Sequence, residues 1–216
     1  ILSTNTVQYA DIRPDGTFTT WTSTGMQALT SARYGATAHI YNGVIYIIGG
    51  DSTFNGSGTS NAISTVQYAK LNSDGTMNSW QSTNNLITSG RQTIGGSFST
   101  VFGGYIYVGG GCATVNSSGD CTSVLSDVQL ASINADGSLA KWNTIIGLTN
   151  DRIGYTFTAW QGGLYRLGGC RAFAGACTDT ALDVDYGVIN PDGEASTVAT
   201  SVTNDTSSPV APCSGS

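Results

Sequence analysis

The sequence predicts an all-β protein made of similar antiparallel units of four strands. Two recurring dipeptides, Asp-Gly and Gly-Gly, support this prediction. Asp-Gly pairs recur at 15–16, 74–75, 136–137 and 192–193, and Gly-Gly pairs recur at 49–50, 110–111 and 168–169. Recurrence at an interval of about 60 residues is typical of folds in which similar β units stack side by side. The pattern therefore predicts successive copies of one unit.

The third strand of each unit alternates apolar and polar residues and ends in a tight turn. The copies read V-Q-Y-A-D-I (7–12), V-Q-Y-A-K-L (66–71) and V-Q-L-A-S-I (128–133), and each precedes a turn that ends in Asp-Gly. Glycine supplies the positive φ that such a turn needs, and aspartate bonds back to the local backbone. A calcium loop would need further carboxylates and a glutamate at its twelfth position. The pattern favours turns over calcium sites.

A tryptophan follows each of the first three turns at the same place, in the predicted fourth strand. These residues are Trp21, Trp80 and Trp142. We expect all three to be buried between units, because a tryptophan held at one phase of a repeat is typical of packing and buries about 150–250 Å². The alternative is a row of exposed tryptophans that stack on sugars.

The first and second strands are predicted to form a hairpin that begins after a repeated arginine. Each arginine precedes an apolar strand, an aromatic residue, a tight turn such as Asn42-Gly43 and a second apolar strand that ends in Gly-Gly. Asn-Gly between two strands is a strong hairpin signal. The arginines are Arg33, Arg91 and Arg152, and the paired glycines are Gly49, Gly50, Gly110, Gly111, Gly168 and Gly169.

This order of landmarks resembles the kelch repeat, over nearly all of residues 6–193. The resemblance implies a β-propeller of four-stranded blades. It also implies that the three repeated arginines are structural hydrogen-bonding residues within or between blades, and do not bind an anion. Kelch propellers act as adhesion modules, ubiquitin-ligase adaptors and enzymes, so the resemblance leaves the function open.

The repeat predicts a propeller segment at 1–199 and a polar Ser/Thr/Pro tail or linker at 200–216. The units span about 6–28, 33–86, 91–148 and 152–199, which makes about three and a half blades. The first unit has only its third and fourth strands, so a strand edge would be left open for pairing. We expect another copy of the chain, or the rest of a larger parent chain, to complete it.

Composition and charge exclude two classes of partner. The chain has eight basic residues and a formal net charge of −6, whereas nucleic-acid binding needs clustered lysine and arginine. No apolar run is long enough to span a membrane.

A start at Ile-Leu-Ser-Thr without a signal segment is what a mature, processed product or an excised piece would show.

The cysteines predict two local disulfides. Cys112 and Cys121 flank one predicted loop, Cys170 and Cys177 flank the equivalent loop of the next unit, and Cys213 has no assigned partner. Zinc sites use closer spacings and usually histidine. Disulfides imply an oxidising environment, so we expect an extracellular or cell-surface protein.

The loops between second and third strands are the expected place for recognition, because loops on a rigid scaffold carry binding residues. They span 51–64, 112–126 and 170–183. Formal glycosylation triplets begin at Asn55, Asn116 and Asn204, and each is a short, common motif.

The sequence favours a non-enzymatic protein that needs no cofactor or metal. His39 is the one histidine and lies at a strand position of the repeat, where we expect a packing residue and not a base. Glycosidases need two facing carboxylates. The first hypothesis is a structural subunit of an extracellular fibre or coat, assembled from copies. The alternatives are a glycan- or protein-binding adhesion module that uses the three loops, and an extracellular carbohydrate-active enzyme using Glu194 or Asp151.

Overall fold

The structure is a computed structural model, and it describes residues 3–53, 60–92, 97–118, 120–148, 151–173, 177–181 and 184–198. All regular structure in these ranges is β. The strands in chain order are β1 (Thr37–Tyr41), β2 (Val44–Ile48), β3 (Ser60–Asn61), β4 (Val66–Lys70), β5 (Gln81–Ser82), β6 (Ser99–Phe102), β7 (Tyr105–Val115), β8 (Cys121–Ser132), β9 (Asn143–Gly147), β10 (Thr156–Trp160), β11 (Gly163–Leu167), β12 (Cys170–Phe173), β13 (Cys177–Thr180), β14 (Val184–Ile189) and β15 (Ala195–Val198).

Three four-stranded antiparallel sheets follow one another, and we call them blades 1, 2 and 3. Blade 1 has the order β1-β2-β4-β5, blade 2 has β6-β7-β8-β9, and blade 3 has β10-β11-β14-β15. The short β3 pairs with the far end of β7, and β12 pairs with β13 in a separate two-stranded sheet. No sheet in the described part of the chain closes into a barrel. The prediction of an all-β fold with four-stranded antiparallel units is confirmed.

The chain opens with a half-blade, residues 4–30, that has the third and fourth strand positions only. Its two segments are joined by the isolated bridges Tyr9 to Thr22 and Ile12 to Phe18. In blade 1, the equivalent strand β4 also pairs along its other edge with β2. Among the described residues, no bridge forms on that edge of the half-blade.

The Asp-Gly turns use their aspartates to bind the local backbone, as predicted. The carboxylates of Asp15, Asp74 and Asp136 each accept a bond of 2.9 Å from the backbone N–H two residues on, and a shorter bond from the hydroxyl of that residue. The hydroxyl bond is the main reason why the pKa of each carboxyl is lowered. These aspartates therefore close turns.

Two of the three predicted loops are largely β-hairpins. Strand β7 continues to Val115 and β8 begins at Cys121, so most of 112–126 is a twisted ladder with three register shifts. In 170–183, β12 and β13 form a second hairpin. In each case a disulfide ties the two strands, and threonine and valine suit a pleated surface. Of the first loop, residues 54–59 lie outside the described residues.

The main core lies between consecutive blades. Its fully buried members include Tyr46 and Ile48 from blade 1, Tyr107 and Trp142 from blade 2, with Phe157 of blade 3 only 3% exposed. Stacked blades bury apolar faces that no single blade could bury alone. Each blade therefore depends on its neighbours for stability.

Candidate functional site

A repeated hydrogen bond links each blade to the next. The Tyr46 hydroxyl in β2 donates to the Gly137 carbonyl, in the Asp-Gly turn of blade 2, at 2.8 Å. The Tyr107 hydroxyl in β7 donates to the Gly193 carbonyl, in the turn of blade 3, also at 2.8 Å. Burial raises the pKa of both tyrosines to about 12. Both hydroxyls therefore remain protonated donors at neutral pH.

The repeat tryptophans make a second link, which runs back to the preceding unit. The indole Nε1 of Trp80 donates to the Gln27 carbonyl at 2.8 Å, and that of Trp142 donates to the Asn84 carbonyl at 2.8 Å. Trp80 is 6% exposed and Trp142 is fully buried. The prediction of burial is confirmed for these two tryptophans.

The same prediction is wrong for Trp21, which is 61% exposed. The reason lies in the direction of the link. Trp80 packs on the half-blade and Trp142 packs on blade 1, so each tryptophan is covered by the unit before its own. For Trp21, no preceding unit lies in the described chain.

Trp21 belongs to an exposed apolar surface on the half-blade, which we call the N face and define as Ile12, Phe18 and Trp21. Their exposed fractions are 73%, 59% and 61%. At the equivalent positions of the next two blades, all residues are buried or partly buried against neighbours. These residues are Leu71, Met77 and Trp80 in blade 1, and Ile133, Leu139 and Trp142 in blade 2. The N face therefore has the chemistry of a blade-to-blade interface.

The opposite end of the structure has a matching exposed surface, which we call the C face and define as Trp160, Tyr165 and Leu167 of blade 3. Trp160 is 64% exposed, Leu167 is 40% exposed and Tyr165 is half-buried. Tyr165 is the repeat equivalent of the fully buried Tyr46 and Tyr107. The C face is the side of blade 3 on which a following blade would pack.

The three repeated arginines hold the ends of the second strands. Nη1 of each donates to the carbonyl of the first glycine of a Gly-Gly pair: Arg33 to Gly49 at 2.7 Å, Arg91 to Gly110 at 2.8 Å and Arg152 to Gly168 at 3.3 Å. All six paired glycines have positive φ. A Cβ on Gly49 would lie 2.3 Å from the Arg91 carbonyl oxygen, so these glycines permit close approach between blades. These hydrogen bonds give the three arginines the structural role expected of them.

Arg91 also forms a buried ion pair, and the residue at the position of its acidic partner differs between blades. Its Nη2 lies 3.0 Å from Asp127 Oδ2, and the guanidinium is fully buried. Burial alone would raise the pKa of Asp127, but hydrogen bonds from Arg91, Gln129 and Thr88, with the charge of Arg91, lower the pKa overall. In blade 1, Arg33 contacts Thr65 at the equivalent place.

Blade 3 contains an ion cluster that the sequence reasoning missed. Asp185 accepts from Arg166 Nε at 2.7 Å and lies 3.6 Å from Arg152 Nη2, and both arginines are buried. Arg166 replaces Ile47 and Val108 of the other blades, so the break in an apolar repeat position was the available signal. Its guanidinium lies over the Tyr155 ring, at 5.7 Å from the centroid.

His39 bridges blades 1 and 2. Its Nε2 lies 2.7 Å from Ser99 Oγ, and that oxygen lies 2.5 Å from Thr37 Oγ1. Burial lowers the pKa of His39, although a hydrogen bond with the Ser99 backbone opposes this. Ser99 is 1% exposed. The pair holds two first strands together, in keeping with a packing role for the histidine.

The residues considered for catalysis are not brought together. Glu194 follows the turn between β14 and β15, and Asp151 precedes β10 at the other end of the strands of blade 3. The described residues contain no group of three or more His, Cys, Asp or Glu side chains placed to hold a metal. They also contain no helix that is long and apolar enough to cross a membrane.

One cleft opens between blades 2 and 3, with a volume of about 280 Å³. Phe102, Tyr105 and Tyr107 line one side, and Ile189, Asn190 and Pro191 line the other. The cleft lies beside the turns, at the opposite end of the strands from the predicted recognition loops.

Both predicted disulfides are present. Cys112 bonds Cys121 with Cα atoms 5.8 Å apart, and Cys170 bonds Cys177 with Cα atoms 5.7 Å apart. They indicate an oxidising environment. Cys213 lies outside the described residues.

Removal of the first disulfide is expected to destabilise the chain modestly. Replacing both Cys112 and Cys121 by alanine should lower the free energy of unfolding by about 2–3 kcal/mol, because the closed loop is short. Chemical denaturation measures this loss, and non-reducing peptide mapping checks the pairing. A Cys112–Cys170 peptide in the map would contradict the local pairing.

Of the three glycosylation triplets, only Asn116 lies in the described residues. Its side-chain oxygen accepts from the backbone N–H groups of Ser118 and Asp120, and its Nδ2 donates to Asp120 at 3.1 Å. The side chain therefore closes the β7–β8 hairpin. Asn55 and Asn204 lie outside the described residues.

Comparison with known proteins shows the fold and leaves the family open. No protein-family model and no curated protein matches the chain. The solved structure of YjhT matches with a TM-score of 0.57 and 14% sequence identity, over 80% of this chain and 47% of that chain. At this identity the likeness concerns the fold alone. The matched part of this chain spans about half the length of YjhT.

Proposed function

We propose that this chain is a non-enzymatic, extracellular structural protein of the kelch-repeat type, which works by assembly. Each copy is a subunit of a surface fibre or coat, and its incomplete propeller is completed by blades or strands of another copy. The single observation that carries the proposal is the exposed N face, since the same three positions are buried or partly buried in blades 1 and 2.

The size of the N face supports a macromolecular partner. Three large apolar side chains that are each more than half exposed form a patch of the kind that marks protein interaction sites. In blades 1 and 2, neighbouring units cover the same positions, and a tryptophan indole donates to a carbonyl of the preceding unit. A blade presented by a partner would restore both the apolar cover and the hydrogen bond from the indole.

The open strand edge of the half-blade supports the same proposal. In blade 1, all five residues of β4 pair with β2. In the half-blade, the described residues provide no such strand beside residues 7–12. An added strand from another chain is an established way to satisfy such an edge.

The half-blade also stabilises its own chain, which affects the choice of test. Val7, Met26 and Leu29 pack in a cluster with Met77 and Trp80 of blade 1. Deleting residues 1–28 would expose Trp80 and destabilise blade 1, so a point substitution on the exposed side is the cleaner experiment.

We expect the purified chain to associate as its concentration rises, and Trp21→Lys to prevent this. A lysine in the interface would bury an unpaired charge, whereas it leaves the isolated chain intact because Trp21 is already exposed. Sedimentation velocity over a concentration series measures association, and electron microscopy of the product distinguishes rings from fibres.

The matched control is Ile87→Lys, which places the same charge on a residue that is 48% exposed, in the connection after β5. This variant should associate as the parent chain does. A parent chain that remains monomeric at all concentrations would refute the proposed function.

A further inference from the structure

The N face and the C face correspond to the two sides of a contact between consecutive blades, so they are complementary. Blades 1 and 2 each present a second-strand tyrosine to the blade that follows, and blades 2 and 3 each present their Asp-Gly turn to the blade before. The C face has the tyrosine, in Tyr165, and the half-blade has the turn, at Gly16. One end of the chain therefore supplies the surface that the other end needs.

We propose that the occupant of the N face is the C face of a second copy of this chain, in head-to-tail contact. This inference rests on the proposed function and adds the partner surface and its register. In that register, the Tyr165 hydroxyl of one copy donates to the Gly16 carbonyl of the next copy, as Tyr46 donates to Gly137 and Tyr107 to Gly193.

The exposure of the residues on the C face supports this register. Tyr165 is half-buried and Leu167 is 40% exposed, although Tyr46, Tyr107 and Ile48 at the equivalent positions are fully buried. A Cβ added at Gly16 would meet nothing within 4 Å, whereas one at Gly193 would lie 2.6 Å from the Tyr105 ring. The Gly16 turn thus has open space where the Gly193 turn has a packed aromatic neighbour.

The length of the fold supports a second copy. The aligned part of this chain covers 47% of YjhT, so two copies aligned in this way would account for about the length of that one chain. A contact between unlike faces of identical chains forms a ring if the rotation closes and a filament if it does not. Both products use the same contact between the C face and the N face.

Two blocking variants and their mixture test the contact. Trp21→Lys blocks the N face and leaves the C face intact, and Tyr165→Lys blocks the C face and leaves the N face intact. We expect each variant alone to be monomeric, and an equimolar mixture to form a one-to-one complex that grows no further. Multi-angle light scattering after size exclusion measures the masses, and Ile87→Lys is again the control. Circular dichroism melts confirm that each variant is folded.

The outcomes separate this inference from the proposed function. If Tyr165→Lys associates as the parent chain does, the N face binds some other surface, and the head-to-tail contact is wrong while assembly stands. A mixture that remains monomeric also overturns the contact. A monomeric parent chain, with the N face then left for a preceding segment of a longer protein, overturns both.

A milder variant tests the register. Tyr165→Phe removes one hydroxyl and keeps the ring, so it should weaken association about two- to tenfold, the range for loss of one hydrogen bond. Unchanged association of this variant would show that Tyr165 does not donate to the Gly16 turn.

Discussion

Replacing Trp142 by alanine is expected to lower the free energy of unfolding by about 3–5 kcal/mol, the range for truncation of a large core residue. Trp142 is fully buried between blades 1 and 2, and its indole nitrogen donates to the Asn84 carbonyl. The variant loses apolar packing and leaves that carbonyl without its donor. Urea denaturation followed by circular dichroism gives the difference in free energy.

Trp21→Ala is the matched control, since the two tryptophans occupy the same place in the repeat. Trp21 is 61% exposed, so its removal should change the unfolding free energy by less than about 0.5 kcal/mol. The comparison must be made at a concentration at which the chain is monomeric, because assembly would add stability by mass action. Equal losses in both variants would contradict the different packing of the first unit.

This pair of residues also shows what the repeat can and cannot predict. The sequence pattern predicted the strands, the turns and the two disulfides, because each depends on neighbours that lie close in the chain. It predicted burial for Trp21, Trp80 and Trp142 alike, because the residues themselves are identical. Burial depends on the unit that packs against each tryptophan, and a pattern within one unit does not contain that information.

The loops show a second limit. The segments 112–126 and 170–183 differ in length and share no motif, so the sequence pattern predicts variable loops there. The structure continues β7 and β8 into the first and places β12 and β13 in the second. The disulfides near the strand ends favour continued strand pairing. Repeated motifs do not indicate this pairing, because the two segments share none.

The ion cluster of blade 3 marks a third limit. Arg166 stands where the other blades have Ile47 and Val108, and its partner Asp185 stands where they have Gln67 and Gln129. The two changes compensate each other across neighbouring strands β11 and β14, which pair these residues directly. The strand register in the structure shows that these two exceptions to the repeat form one buried ion pair.

Replacing Arg91 by methionine is expected to destabilise the chain by about 3–5 kcal/mol, the range for removing one partner of a buried ion pair. Arg91 is fully buried, and its guanidinium binds the Gly110 carbonyl, Thr88 and Asp127. Methionine fills part of the space but donates no hydrogen bond. Arg171→Met, at an ion pair of 3.5 Å whose side chains are 35% and 53% exposed, should cost at most about 1 kcal/mol.

The pH dependence of stability tests the same ion pair independently. The folded pKa of Asp127 lies below its ordinary value of 3.8. A lowered folded pKa means that the unfolded state binds the proton more readily, so the contribution of Asp127 is complete above pH 3.8 and is lost as the pH falls through the folded pKa. Asp127→Asn should therefore remove part of the acid-induced loss of stability. Denaturation midpoints between pH 7 and pH 2 measure the effect. Parallel curves for the parent chain and Asp127→Asn would show that the Arg91–Asp127 pair does not stabilise the fold.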